Sequence, residues 1–200
     1  MLVYITLLII VIIFSKIIEK KADKKSGKIF AFILIFILSW IAGVRALNVG
    51  WDASKYVRST FFRLDYFDGD YLKFMASTTV EYGFSLYSYI IYHLFPDVHA
   101  LLFGYSFLTT ICVFIFAFKE KENIKFSNVI IIYYLTLYLI SFNIIRQSIS
   151  VAIVLLAIPY LKEKKYLKCI ILAVLATSFH NSGILAFAIY FIYIYLNKKK

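Results

Sequence analysis

Between Val98 and Phe118 the chain reads VHALLFGYSFLTTICVFIFAF, with no Asp, Glu, Lys or Arg in the run, and Lys119-Glu120-Lys121 closes it. A helix perpendicular to a bilayer needs about 20 predominantly apolar residues to cross the hydrocarbon core, and this stretch supplies them. Outward in both directions the pattern repeats, with apolar runs separated by short lysine clusters. The whole chain is 62% hydrophobic and 16% charged, with a mean hydropathy of +0.84. A soluble domain carries about 25% charged residues, so the solvent for most of this surface is lipid. Two prolines and seven glycines in 200 residues leave no room for a disordered or collagen-like chain. The expected fold is all-α, a polytopic transmembrane helix bundle in a single domain over residues 1–200.

Seven spans are expected, at about 2–18, 29–47, 98–118, 127–142, 149–161, 169–179 and 184–196. Several are shorter than a full crossing, so their ends must extend into flanking polar residues. A polar segment, 48–82, separates the second span from the apolar stretch 83–95, which is short and stops at Pro96-Asp97. Lysine and arginine placement decides how 83–95 is read. If it does not cross, the clusters at 16–28, 119–125, 162–168 and 198–200 share one side, and sixteen of the 22 basic residues are cytoplasmic. The other side then receives Arg45, Lys55, Arg58, Arg63, Lys73 and Arg146, which includes every arginine in the chain. If 83–95 crossed, the three later lysine clusters would all face outward. The expectation is therefore a re-entrant or interfacial helix there, an extracytoplasmic loop at about 48–82, an outside N-terminus and an inside C-terminus. No charge precedes the first apolar run and no A-x-A site follows it, which argues against a signal peptide.

Several function classes drop out. The formal net charge of +11 suggests nucleic acid at first sight, but most lysines sit between apolar runs, as cytoplasmic loops facing anionic lipid do. Cys112 and Cys169 lie inside apolar runs and read as small core hydrophobes. No H-E-x-x-H, P-loop, G-x-G-x-x-G or C-x-x-C pattern is present, so zinc hydrolysis and nucleotide binding lack support. The 17 tyrosines crowd near predicted helix ends, as interfacial aromatics do, and say nothing about substrate.

Lysine dominates one face of this arrangement, whereas arginine, acid, amide and histidine gather on the other. Asn143, Arg146 and Gln147 stand at i, i+3 and i+4, on one face if the segment is helical. A guanidinium there can hold a phosphate in a bidentate fork with the amides completing the shell, whereas the plain alternative is an arginine snorkelling to headgroups. Arg45 ends the second span. Asp52 follows Gly50-Trp51 and fits either a helix N-cap or a general base. Glu81, just before Gly83, is either a second acid–base candidate or a solvated interfacial carboxylate. His180, in the turn His180-Asn181-Ser182-Gly183, titrates near neutrality, although a turn histidine is more often structural. His93, His99 and the charged residues between Arg58 and Asp70 have weaker claims.

In order, Arg45…Val49-Gly50-x-Asp52…Tyr56, Glu81-x-Gly83-Phe84, Asn143-x-x-Arg146-Gln147 and Phe179-His180-x-Ser182 run through nearly the whole chain. This series resembles the EpsG family of polysaccharide polymerases, relatives of Wzy-type O-antigen and capsule polymerases. The resemblance implies a multi-pass enzyme of the bacterial inner membrane with an architecture akin to the GT-C glycosyltransferases. It implies transfer of undecaprenyl-diphosphate-linked oligosaccharide units onto a growing chain at the outer face, alongside other polysaccharide export components. Within that reading Arg45, Arg146, Gln147 and Asn143 bind the substrate diphosphate, and Asp52, Glu81 and His180 are the candidate bases. No metal or other cofactor is expected. Members of the family are generally longer, which makes this chain resemble an N-terminal portion, and Trp51 stands where a small polar residue is common. Three other readings compete. They are a lipid-linked oligosaccharide flippase, which would want polar residues at mid-span; a membrane O-acyltransferase, which would want its histidine deep in a span; and a truncated, inactive remnant.

Overall fold

The structure is a computed structural model that describes residues 2–197. Ten α-helices follow one another: α1 (Leu2–Lys20), α2 (Lys25–Gly43), α3 (Arg58–Tyr66), α4 (Tyr71–Ser77), α5 (Tyr82–Leu94), α6 (Val98–Lys119), α7 (Phe126–Tyr133), α8 (Ile145–Lys162), α9 (Tyr166–Phe179) and α10 (Leu185–Asn197). A π-helical turn, Ala53–Val57, leads into α3; a second, Tyr134–Tyr138, prolongs α7; a 3₁₀ turn, Asn181–Ile184, opens α10. No strand occurs among the described residues. Four helices, α1, α2, α6 and α8, are long and apolar enough to cross a membrane. The continuous stretches 126–138, 166–179 and 181–197 are apolar but shorter. This is a multi-pass membrane protein.

Helix α6, uncharged from Val98 to Phe118, is buried along most of its length between α2 and α8. The exposed large apolar side chains lie on the outer faces, at Ile5, Ile9 and Ile13 of α1 and at Phe32 and Phe36 of α2. That inverted pattern is what a lipid solvent allows, because hydrocarbon imposes no penalty on an exposed isoleucine. Buried tyrosines supply polar ties inside the bundle: the Tyr138 hydroxyl donates to the Leu38 carbonyl at 2.8 Å and the Tyr134 hydroxyl to the Tyr4 carbonyl at 2.7 Å. A smaller cluster of Ala157, Leu161, Cys169, Ala173, Ala186 and Tyr190 joins α8, α9 and α10.

Three of the lysine clusters meet at one end. Lys121 pairs with Asp23, the Glu19 carboxylate accepts from the Ser127 amide at 2.8 Å, and Lys162 reaches the buried Glu120 at 2.5 Å. The fourth cluster, 198–200, lies outside the described residues. At the opposite end His99 Nδ1 donates to the Gly43 carbonyl at 2.8 Å, joining the end of α2 to the start of α6. The start of α5 is tied to the start of α8 through Glu81 and Arg146, and Gly83 lies against Ser178 at the end of α9. Leu94 leads within four residues into α6 at Val98. Helix α5 therefore begins and ends at the same end of the bundle.

Three local expectations are corrected. Helix α2 stops at Gly43, before Leu47, so Arg45 lies beyond it in a turn. Helix α8 starts at Ile145, which leaves Asn143 in a turn and off any helical face shared with Arg146 and Gln147. Asp52 is already helical (φ −66°, ψ −29°) and makes no capping bond to its own helix. The connecting segment 48–82 carries the first π-helical turn, α3 and α4.

Candidate active site

Gly50 makes the first joint of the site. Its φ of +97° suits a residue without a side chain, and a Cβ there would stand 2.1 Å from the Phe142 carbonyl oxygen. The 44–52 turn is thereby pressed on the 142–146 segment, and the Trp51 amide donates to Asn143 Oδ1 at 3.1 Å. Asn143 is thus a brace between two segments, engaged through its oxygen.

Gly83 makes the second joint. It brings the start of α5 so close to Ser178 that an added Cβ would stand 2.8 Å from the Ser178 carbonyl oxygen. Two residues earlier, Glu81 Oε2 accepts from Arg146 Nη1 at 2.6 Å. Both side chains are largely enclosed, at 13% and 15% exposure, so Glu81 is an ion-pair partner and not a solvated carboxylate. The Arg146 guanidinium also lies over the Tyr56 ring, 3.9 Å from its centroid, and its Nε is buried without a partner among the described residues. Tyr56 belongs to the first π-helical turn. Such turns shift the side-chain register by one residue and recur at functional sites.

Asp52 is buried beside this pair. Burial pushes its carboxyl above the ordinary carboxylate range, while the Ile145 and Arg146 amides, the Arg146 charge and His180 pull it back. It therefore faces the amino end of α8, where the helix dipole is positive, instead of capping its own helix. His180 follows α9 directly. The Ser182 amide donates to its Nδ1 at 3.2 Å, so the neutral ring carries its proton on Nε2.

The structure brings together Asp52, Glu81, Arg146 and His180. It separates Arg45 from them. Arg45 is 8% exposed, donates to the Ala42 carbonyl at 2.6 Å and the Val49 carbonyl at 3.2 Å, and stacks on Phe142 at 4.1 Å. Burial pushes its pKa down to about 10, which leaves it charged at neutral pH. No hydrogen bond or ion pair joins it to Glu81, Asp52 or His180 among the described residues, and its bonds hold the 44–52 turn. Gln147 is half-buried and its side chain makes no hydrogen bond there. The sequence reading missed Tyr56 as the surface beneath Arg146. Its position four residues after Asp52 was the available signal, because residues at that spacing share a helical face.

An open cavity of about 620 Å³ adjoins the pair, with Glu81 and Asn181 on its edge. Fold and site together define a helical, multi-pass membrane protein with a buried ionic cluster at the end opposite its lysine clusters. The EpsG family model matches residues 28–200 of the 200-residue chain, and the chain belongs to the EpsG family. The match begins in the first turn of α2 and leaves α1 outside it. No curated protein and no solved structure matches the chain. Membership makes the role that of a membrane polysaccharide-polymerase-like protein.

Proposed function

We propose that the chain joins oligosaccharide repeat units carried on undecaprenyl diphosphate, at the outer face of a bacterial inner membrane. One observation carries the reading: an arginine, held by a carboxylate and an aromatic ring, stands beside a second, buried carboxylate and a histidine at the end opposite the lysine clusters. In this reading seven helices cross the membrane and α5 does not, because it starts and finishes at that end. The end that holds the lysine clusters is cytoplasmic by the distribution of positive charge.

The transfer needs three things. A hydroxyl of the acceptor sugar attacks the anomeric carbon of the donor, the bond from that carbon to the diphosphate oxygen breaks, and the hydroxyl proton passes to a base. Arg146 stabilises the departing diphosphate; Glu81 and Tyr56 hold its guanidinium, Nε is enclosed, and the terminal Nη donors that Glu81 does not take are the ones to meet phosphate oxygens. Asp52 is the base we assign, since a carboxylate whose pKa is raised by burial is a stronger proton acceptor than a solvated one. Glu81 is occupied by Arg146, and His180 stands near Asp52 in the same cluster. Arg45 and Asn143 position the loop that carries Asp52.

The test is the length distribution of lipid-linked saccharide in cells without the gene, complemented by the wild type or by Arg146→Ala. Wild type should restore a ladder of repeat units, and the variant, at matched membrane levels, single units. An unchanged ladder on removal of the gene would overturn the proposal.

A further inference from the structure

The cavity beside Glu81 differs in chemistry from the rest of the lipid-facing surface. Elsewhere the groove walled by Val113, Ile132 and Leu155 between α6, α7 and α8 is hydrocarbon, and the grooves at the lysine end carry Lys28, Lys119, Lys162 and Lys164. Here the walls are the extended stretch between α4 and α5, the last turns of α9, and the 3₁₀ turn into α10. Thr78, Thr79, Glu81, Thr177, Ser178 and Asn181 all line it. The Thr177 and Ser178 hydroxyls donate to the Ala173 and Leu175 carbonyls, which leaves their oxygens able to accept. The side chains of Thr79 and Asn181 make no hydrogen bond among the described residues and are exposed to the cavity. The one charge on the wall, Glu81, is neutralised by Arg146. Met75, Val80, Tyr82, Val174, Ile184 and Phe187 supply the larger, apolar share of the wall between the polar groups.

A neutral wall that mixes hydroxyls and an amide with apolar faces is poorly matched to a phosphate, which wants cations, and to a hydrocarbon tail, which leaves the hydroxyls and the amide without partners. It matches a sugar ring, which offers hydroxyl donors and acceptors at its edge and C–H groups on its faces. Its volume, about 620 Å³, falls within the range of about 300–1,000 Å³ usual for ligand pockets. We infer that this cavity is the saccharide subsite, with Thr79 and Asn181 as specificity residues that read the sugar beside the Arg146–Glu81 pair. The inference rests on the function proposed above and adds the place and the residues that recognise the saccharide.

The test uses the full chain in lipid nanodiscs and, as probe, the repeat-unit oligosaccharide released from the host's own polysaccharide, followed by saturation-transfer NMR. Wild type should bind it, and Thr79→Val combined with Asn181→Leu should weaken binding at least about tenfold. Both positions are exposed, so the melting temperature should hold; if the double variant melts lower, Thr79→Val alone carries the comparison. Undecaprenyl phosphate added in excess should leave the signal unchanged. Displacement by it would assign the cavity to lipid and overturn the inference, as would wild-type binding by the double variant or no binding by the wild type. Arg146→Ala separates the two proposals. If it binds the oligosaccharide normally but makes no polymer, both stand. If it polymerises normally while the double variant loses binding, the catalytic role falls and the subsite stands.

Discussion

Arg146 meets Glu81 through one nitrogen, lies over the Tyr56 ring and keeps Nε unpartnered inside the protein. A snorkelling side chain has none of these restraints, since it extends to water to avoid them. Arg146→Lys keeps the charge and loses the planar fork, so it should impair polymer formation nearly as much as Arg146→Ala. Loss of one preorganised donor typically costs about 3 kcal/mol, or about a hundredfold in rate. Full-length polymer from the lysine variant, at matched membrane levels, would remove Arg146 from the mechanism. Asp52 gives a prediction of opposite sign for stability. Its folded-state pKa is raised, so its favourable contribution is complete below the unfolded value and is lost as pH rises through the folded one. At neutral pH the ionised carboxylate is a net cost. Asp52→Asn should therefore melt at or above the wild-type temperature at pH 7, with the difference shrinking toward about pH 4, while polymerisation falls by about 10²–10⁴-fold. A clearly lower melting temperature at pH 7 would make Asp52 a structural residue. Of these roles, the residue types were legible in the sequence. The pairing was not, because Glu81 and Arg146 are 65 positions apart and nothing local couples them.

Helix α5 shows how a short element is placed by backbone contact. A chain of 13 residues rises about 20 Å, and α10 has the same length, so contacts and not length set α5 apart. Its exposed side, Tyr82, Leu86, Ile90 and Leu94, recurs every four residues, and the opposite side packs on α6 through Ser88 and Tyr105 at 2.6 Å. Two glycines govern that packing differently. At Gly83 an added methyl would meet the Ser178 backbone, which cannot swing away, whereas at Gly104 it would meet the far end of Ile91. Gly83→Ala should push the start of α5, and with it Glu81, off α8 and α9. The expected cost is about 1–3 kcal/mol, with a parallel loss of polymer. Gly104→Ala should cost less than about 1 kcal/mol and leave activity near wild type. Thermal unfolding and polymer length in the same membranes check both; equal effects at the two positions would refute the distinction. In the sequence, lysine and arginine placement is what sets 83–95 apart as an expected re-entrant or interfacial helix, since other expected spans are as short. That both its ends belong to one end of the bundle follows only from what Glu81, Gly83 and the 95–97 turn touch.

Across the whole molecule the charges divide by end. Lys121, Lys162 and their acids tie together the turns at 21–24, 120–125 and 163–165, while Arg45, Asp52, Arg146 and His180 lie at the other end. Cysteine labelling with a membrane-impermeant reagent, on a Cys112→Ala, Cys169→Ala background, should modify Ser182→Cys from outside and spare Lys164→Cys until the membrane is opened. The reverse pattern would put the cluster in the cytoplasm and remove the proposed function. The amino-acid sequence by itself determined the solvent, the helical class, the gathering of arginines apart from the lysine clusters, and the resemblance that the family match bears out. The first three are properties of composition or spacing along the chain, because burial in lipid and positive charge act residue by residue. Only the tertiary structure decided that Arg146 pairs with Glu81, that Asp52 serves the start of α8, that Asn143 braces Trp51, and that Arg45 turns inward. Those outcomes depend on where Gly50 and Gly83 let two backbones approach, and a contact between distant segments exists only once the bundle has closed.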